Sequence, residues 1–127
     1  MKKKILYWLP PILWMSLIFT LSSRQRISVS DINSVNFIFF KSLHIIEYAI
    51  LFFLVFRAVY KTTKLSLHQV FCISIGLAIL YGASDELHQA FVPTREGSPR
   101  DIVIDSIGIL LCFMYTKINL PKLKRLL

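Results

Sequence analysis

The hydrophobic positions of this chain fall in four long blocks separated by short polar segments. The blocks cover residues 5–21, 37–60, 69–91 and 101–117. Each has about the length that an α-helix needs to cross a bilayer, which is roughly 20 residues. The apolar residues fill these blocks and do not form the narrow stripe of a soluble amphipathic helix. The pattern therefore predicts an all-α membrane protein: one domain, residues 1–127, with four transmembrane helices.

The first block also has the basic start and apolar centre of a signal peptide. No small-x-small cleavage motif follows it, and the apolar run is long for such a segment. We therefore expect a retained first helix, kinked near Pro10 and Pro11. The third and fourth blocks are separated by a loop with Pro93, Gly97 and Pro99 as helix breakers.

The charges follow the same division of the chain. The net charge of +8 would suggest a nucleic-acid partner for a soluble protein. Here the basic residues stand at the ends of the apolar blocks, so no nucleic-acid partner is predicted. With four spans, ten basic residues lie on the side of the two termini: Lys2, Lys3, Lys4, Arg57, Lys61, Lys64, Lys117, Lys122, Lys124 and Arg125. The other side has four: Arg24, Arg26, Arg95 and Arg100. The excess predicts that both termini are cytoplasmic.

Several ionisable residues interrupt the apolar blocks. A charge at the centre of a membrane helix costs about 2.5–3.5 kcal/mol on insertion scales, so such residues need partners or a function. The predicted topology brings all of them to the outer half of the bundle. Helical spacing groups them on three faces: Lys41, His44 and Tyr48 with Glu47 beside them; Tyr81, Asp85 and Gln89 with Glu86 beside them; Asp101, Asp105 and Gly108. These faces cannot contact lipid, so we expect one polar cluster inside the bundle, where Gly108 lets another helix pack closely.

Metal and cofactor chemistry receive little support from the sequence. Cys72 and Cys112 show no zinc-type spacing and no disulfide framework. One histidine with several carboxylates, namely His44 with Asp85, Glu86 and Asp101, could hold a hard divalent ion. No metal-binding spacing accompanies these residues, so neither a metal nor a cofactor is predicted.

The chain resembles the VanZ-like family of small bacterial membrane proteins between about residues 17 and 111. Three pieces carry the resemblance, with Ser22-Ser23 also fitting: Lys41-x-x-His44-x-x-Glu47-Tyr48; Ser84-Asp85-Glu86-x-His88-Gln89-x-Phe91-Val92-Pro93-x-Arg95; and Ser98-x-x-Asp101-x-x-x-Asp105-x-x-Gly108. One departure is Thr94, where the family usually has glycine, which would ease a turn. The family is named for an accessory protein of teicoplanin resistance. The resemblance implies the bacterial plasma membrane, a cell-envelope setting and a contribution to glycopeptide tolerance.

The polar residues predict a pocket that faces the outer leaflet and binds or acts on a lipid-linked or anionic envelope component. Arg95 and Lys41, with Arg24 or Arg100, could bind an anionic head group, since arginine suits a phosphate through its planar set of donors. Adjacent acids beside a histidine suit proton transfer. We assign catalytic roles to His44, Asp85, Glu86 and Asp101. The expected substrate-binding residues are Lys41, Tyr48, Gln89, Arg95, Ser98 and Asp105.

Two alternatives stay open at this stage. The chain could be a non-enzymatic binder or carrier of a lipid or glycopeptide, which would need the basic residues and tolerate loss of the acids. The cluster could instead be structural, since polar side chains join membrane helices. Membrane lipids are the expected partners in every case. The sequence does not predict an oligomeric state.

Overall fold

The structure is a computed structural model that describes residues 2–25, 28–95 and 97–124, without the side chains of residues 2 and 3. It contains four α-helices: α1 (Lys2–Ser22), α2 (Asn33–Thr62), α3 (Leu67–Gln89) and α4 (Pro99–Leu123). The described residues contain no strand, which confirms the all-α class. Arg26 and Arg125, which entered the predicted charge pattern, lie outside the described residues.

The helix boundaries follow local capping chemistry. Ser66 and Gln69 form a capping box at the start of α3. Ser98 accepts a hydrogen bond from the Arg100 amide, and Pro99 occupies the first turn of α4, where its missing N–H is no loss. The predicted fourth block ends at residue 117, but α4 continues to Leu123 through Pro121.

Three helices are long and apolar enough to cross a membrane: α1 over Lys4–Ser22, α2 and α3. Their outward faces carry large apolar side chains that are strongly exposed, such as Leu6 and Leu80. Exposed apolar area of this extent is typical of a surface that contacts lipid. The fold is therefore that of a membrane protein, and α4 is not among the three apolar helices.

Consecutive helices run in opposite directions. Trp8 Nε1, near the start of α1, donates to Thr62 Oγ1 at the end of α2. At the other end of the bundle, Ser22 at the end of α1 contacts Asp85 near the end of α3. We call this second end, where α1 and α3 finish and α2 and α4 begin, the polar end, and the opposite one the basic end.

Helices α2 and α4 run parallel and form the largest helix–helix interface, whereas α1 packs mainly on α2 and little on α3. Gly108 makes the α2–α4 contact possible. A Cβ at this position would overlap the carbonyl group of Ile45, so the two backbones meet directly. This close packing confirms the role predicted for Gly108.

The interior is divided along its length. Towards the basic end it is apolar and aromatic, with Leu51, Phe52 and Phe56 fully buried and the rings of Phe56 and Phe71 stacked 4.7 Å apart. Towards the polar end most of the buried side chains are polar or ionisable, such as Asp85, Glu86 and Gln89. The helices thus bring the intramembrane polar residues to one depth, as predicted.

Candidate functional site

The three polar helix faces meet in one group of side chains, which we call the polar cluster: Ser22, Lys41, His44, Glu47, Tyr48, Asp85, Glu86, Gln89, Arg95, Ser98, Asp101 and Asp105. Hydrogen bonds or ion pairs connect most of them across the helices. The cluster includes every residue to which the sequence assigned a catalytic or substrate-binding role.

Asp85 receives hydrogen bonds from three neighbours. Ser22 Oγ donates to Oδ1 at 2.6 Å, and Gln89 Nε2 donates to Oδ2 at 2.8 Å. The Tyr48 hydroxyl approaches the same Oδ2 at 3.5 Å. Asp85 is almost fully buried, so these bonds compensate for the hydration that the carboxylate loses.

Glu86 is held by the loop between α3 and α4. Its Oε2 accepts a hydrogen bond of 3.0 Å from the Ser98 amide, and its Oε1 lies 3.5 Å from Gln89 Nε2. Gly97 makes this approach possible, because a Cβ there would overlap the Glu86 carbonyl oxygen. Ser98 therefore contributes its backbone N–H to the cluster.

Helices α2 and α4 contribute two matched pairs. Lys41 Nζ lies 2.6 Å from Asp101 Oδ2, and one turn deeper His44 Nδ1 lies 3.0 Å from Asp105 Oδ1. The second carboxylate oxygen of Asp105 is buried and has no hydrogen-bond partner among the described residues. The sequence predicted that these residues lie on facing helix surfaces, but it did not predict which side chains pair.

Arg95 connects the loop after α3 to the end of α1. Its Nε donates to the Arg24 carbonyl at 2.8 Å, its Nη2 to the Leu21 carbonyl at 3.0 Å and its Nη1 to Gln89 Oε1 at 3.1 Å. Two of these acceptors are carbonyls at the C-terminal end of a helix, where a cation is stabilising. A guanidinium has five N–H donors, so two remain for a ligand.

Thr94 has a backbone φ of 69°, the single positive value of a non-glycine residue in the described part of the chain. This left-handed conformation is unfavourable for a β-branched side chain and readily adopted by glycine. The position is the one at which the sequence departs from the VanZ-like pattern. Threonine therefore occupies a backbone conformation that glycine adopts more readily.

A cavity of about 280 Å³ opens beside the cluster. Its polar wall includes Ser22, Arg24, His44, Glu47, Asp85, Gln89 and Arg95. Its apolar wall includes Ile18, Leu21, Phe39, Phe40 and Leu43. Lys41, Tyr48, Glu86, Ser98, Asp101 and Asp105 are not among its lining residues, so they support the wall from behind.

The sequence missed two residues of this wall as site residues. Ser22 is a short polar side chain at a helix end, and its role depends on α3 packing beside it. Glu47 was noted only beside a polar helix face. Of the cations considered for an anionic head group, Arg24 and Arg95 line the cavity, and Lys41 and Arg100 do not. His88 is not among the lining residues of the cavity: its Nε2 lies 3.0 Å from Ser23 Oγ, and its ring packs on Phe19.

These features define the chain first by class: an all-helical membrane-type protein with a buried acidic, histidine and arginine site at one end of the bundle. The VanZ/LLP1 family model matches residues 7–120. The match covers most of the chain, and the chain therefore belongs to the VanZ/LLP1 family. No curated protein and no solved structure shows a significant match.

Proposed function

We propose that this chain is a cell-envelope protein of the bacterial plasma membrane whose cavity binds the anionic head group of an amphiphile, such as a lipid-linked envelope precursor. The observation that carries the proposal is the mixed lining of the cavity. Arginine, histidine and carboxylate side chains stand on one wall, and apolar side chains stand on the other. An amphiphile presents the same two chemistries side by side.

The size of the cavity supports a head group as the bound part. A volume of about 280 Å³ lies below the range of roughly 300–1,000 Å³ typical of pockets that enclose a whole ligand. A long hydrocarbon chain would therefore extend past Phe39 and Leu43 into the surrounding lipid. Both side chains are exposed on the outer surface of α2, which suits that arrangement.

Arg24 and Arg95 are the groups we assign to the anion. Both line the cavity, and guanidinium groups bind phosphate oxygens through paired N–H donors. Arg95 is already oriented by its three hydrogen bonds, so little side-chain entropy is lost when it contacts a ligand. Gln89 and Ser22 add polar groups at the same wall.

Turnover of the bound molecule is a second candidate function. It is favoured by the presence of His44 and Asp85 in the same cavity wall as Arg95. Either side chain could exchange a proton with a bound head group. On this hypothesis Glu86, Asp101 and Asp105 position the reactive groups and do not touch the substrate.

We further propose four transmembrane spans with both termini in the cytoplasm. The described acids lie towards the polar end, and seven described basic residues lie towards the basic end: Lys4, Arg57, Lys61, Lys64, Lys117, Lys122 and Lys124. The positive-inside rule then assigns the basic end to the cytoplasm and the cavity to the outer leaflet.

Cysteines introduced at Pro93 and at Lys64, in a background without Cys72 and Cys112, test this topology. A membrane-impermeant thiol reagent should label position 93 in whole cells and position 64 only after lysis; the reverse pattern contradicts the topology.

Mass spectrometry of lipid retained by the purified protein tests the binding site. We expect an anionic or polyprenyl-phosphate lipid to accompany the wild type, and its amount to fall at least fivefold in Arg24→Gln. Arg100→Gln is the matched control, because Arg100 is exposed at the same end of the bundle and outside the cavity. Equal lipid content in the wild type and both variants would indicate that the polar cluster has a structural role and does not bind a head group.

Variants of the acidic residues distinguish turnover of the bound molecule from binding alone. If Glu86→Gln and Asp85→Asn retain the lipid unchanged or in a different chemical form while an envelope phenotype is lost, the chain catalyses a reaction. If both variants retain the phenotype, it is a binder or carrier. A contribution to glycopeptide tolerance is tested by comparing the growth of a deletion strain on teicoplanin with and without the gene.

A further inference from the structure

We infer that His44, Glu86 and Asp105 form a binding site for a divalent transition-metal ion inside the polar cluster. The inference rests on the geometry of these side chains and not on the proposed lipid ligand. The three residues come from three different helices, α2, α3 and α4. One ligand atom from each lies within 4.8 Å of the other two.

The distances are close to those of a bound ion. Zinc–nitrogen and zinc–oxygen bonds are about 2.0–2.2 Å, so two ligands of one tetrahedral ion stand roughly 3.4 Å apart. The ligand atoms lie within 4.8 Å of one another, so they need to approach by no more than about 1.4 Å, a displacement of the size that rotation about side-chain torsions produces.

The second observation is the unsatisfied oxygen of Asp105. Its side chain is only 2% exposed, and its Oδ2 is buried without a hydrogen-bond partner among the described residues. An orphaned buried carboxylate oxygen is destabilising, because it has lost its hydration and gained no protein partner. It faces Gly82, where even an added Cβ would stay 3.5 Å away. A bound cation would give this oxygen the partner that the protein does not supply.

The charges around the site favour a cation as well. Glu47, Asp85, Glu86 and Asp105 form no ion pair with a lysine or arginine within the described residues. Lys41 is engaged by Asp101, and Arg95 bonds to an amide and two backbone carbonyls. Buried carboxylates without a counter-charge are strongly destabilising. A divalent ion would neutralise two of them.

The ligand set narrows the identity of the ion. Imidazole favours zinc and other later transition ions, whereas carboxylates also suit manganese. One imidazole with two carboxylates leaves open coordination positions, as in catalytic rather than structural sites. Since His44 also lines the cavity, such an ion would lie at the cavity wall, where it could polarise an oxygen of a bound head group. His44 would then act as a ligand and not as the proton-transfer group.

Metal content of the purified, chelator-treated and reloaded protein tests the site, with Zn²⁺ and Mn²⁺ as the probes and no lipid added. The exposed pair His68 and Cys72, 3.6 Å apart, is a second potential zinc ligand pair, so all proteins carry Cys72→Ser. We expect about one bound equivalent of at least one ion per chain. His44→Ala and Glu86→Gln should each weaken binding at least tenfold.

Two control variants separate this site from general attraction to acids. Asp31→Asn removes an exposed carboxylate outside the polar cluster, and His88→Ala removes a histidine near the end of α3; both should bind the ion as the wild type does. Binding that is absent in the wild type, or equal in all variants, overturns the inference. If the ligand variants do not fold, the wild type alone can test the site through the electron paramagnetic resonance signal of added Mn²⁺. Loss of the free-ion signal up to one equivalent, reversed by Zn²⁺, supports the site. An unchanged signal together with no bound Zn²⁺ in the wild type rejects it.

Discussion

Lys41 Nζ lies 2.6 Å from Asp101 Oδ2, and this ion pair joins the third turn of α2 to the first turn of the parallel helix α4. The side chains are 17% and 9% exposed, so both charges are largely removed from water. Removing one partner of a buried pair leaves an uncompensated charge and costs about 3–5 kcal/mol. Arg100 Nε, 3.7 Å from Asp101 Oδ1, provides partial compensation. We expect Lys41→Met to lower the free energy of unfolding by about 2–3 kcal/mol.

The double variant Lys41→Met/Asp101→Asn is the control for that prediction. It removes both charges, so its stability should return to within about 1 kcal/mol of the wild type. Detergent-induced unfolding of the wild type, Lys41→Met, Asp101→Asn and the double variant gives the coupling energy between the two side chains. A double variant as unstable as Lys41→Met would mean that Lys41 stabilises the fold by some route other than Asp101.

Gly108 and Gly76 form a matched pair of helical glycines. A Cβ at position 108 would overlap the Ile45 carbonyl group, whereas one at position 76 has nothing within 4 Å. We expect Gly108→Ala to separate α2 from α4 and cost about 2 kcal/mol or more, in line with overpacking in a close-packed interior. Gly76→Ala should be neutral or stabilising by up to about 1 kcal/mol from helix propensity. Thermal midpoints in detergent measure both. Equal midpoints for the two variants would contradict the close contact.

Replacing Thr94 with glycine should stabilise the protein. Its φ of 69° is costly for a side chain branched at Cβ, so we expect Thr94→Gly to raise the free energy of unfolding by about 1 kcal/mol. Thr94→Asn should give a smaller gain, because asparagine tolerates this conformation better than most residues. Thr94→Val keeps the branched shape and should give none. A rise in stability with valine would indicate that the turn is not left-handed.

Arg95 has a structural contribution that can be separated from ligand binding. Arg95→Gln removes hydrogen bonds to the carbonyls of Leu21 and Arg24, and we expect a loss of about 1–3 kcal/mol, as for hydrogen bonds to a charged group. Arg24→Gln changes an exposed side chain and should leave the stability within about 0.5 kcal/mol. Unfolding in the same detergent compares the two. Equal losses would show that Arg95 does not stabilise the end of α1.

The helical class and the depth of the polar residues could be predicted from the sequence. Both follow from periodicity: block lengths give the helices, and i, i+4 spacing gives faces such as Asp85 with Gln89 or Asp101 with Asp105. An antiparallel chain of four helices then brings these faces to one end. No knowledge of the packing is needed for that step.

The pairing within the cluster could not be predicted, because it depends on the register between helices. His44 meets Asp105 and not Asp85 because Gly108 lets α4 lie directly against the Ile45 carbonyl. Arg95 was expected to bind substrate, but its bonds to α1 depend on the course of a loop that contains an unusual backbone conformation at Thr94. Interhelical register and loop conformation are properties of tertiary packing, and local sequence patterns do not encode them.

The aromatic layer below Tyr48 bears on permeation. Leu51, Phe52 and Phe56 are fully buried and lie between the polar cluster and the basic end. Interiors packed in this way have no room for a file of water molecules. Within the described residues this layer therefore separates the cluster from the basic end, and we expect a molecule bound at the cluster to enter and leave at the polar end.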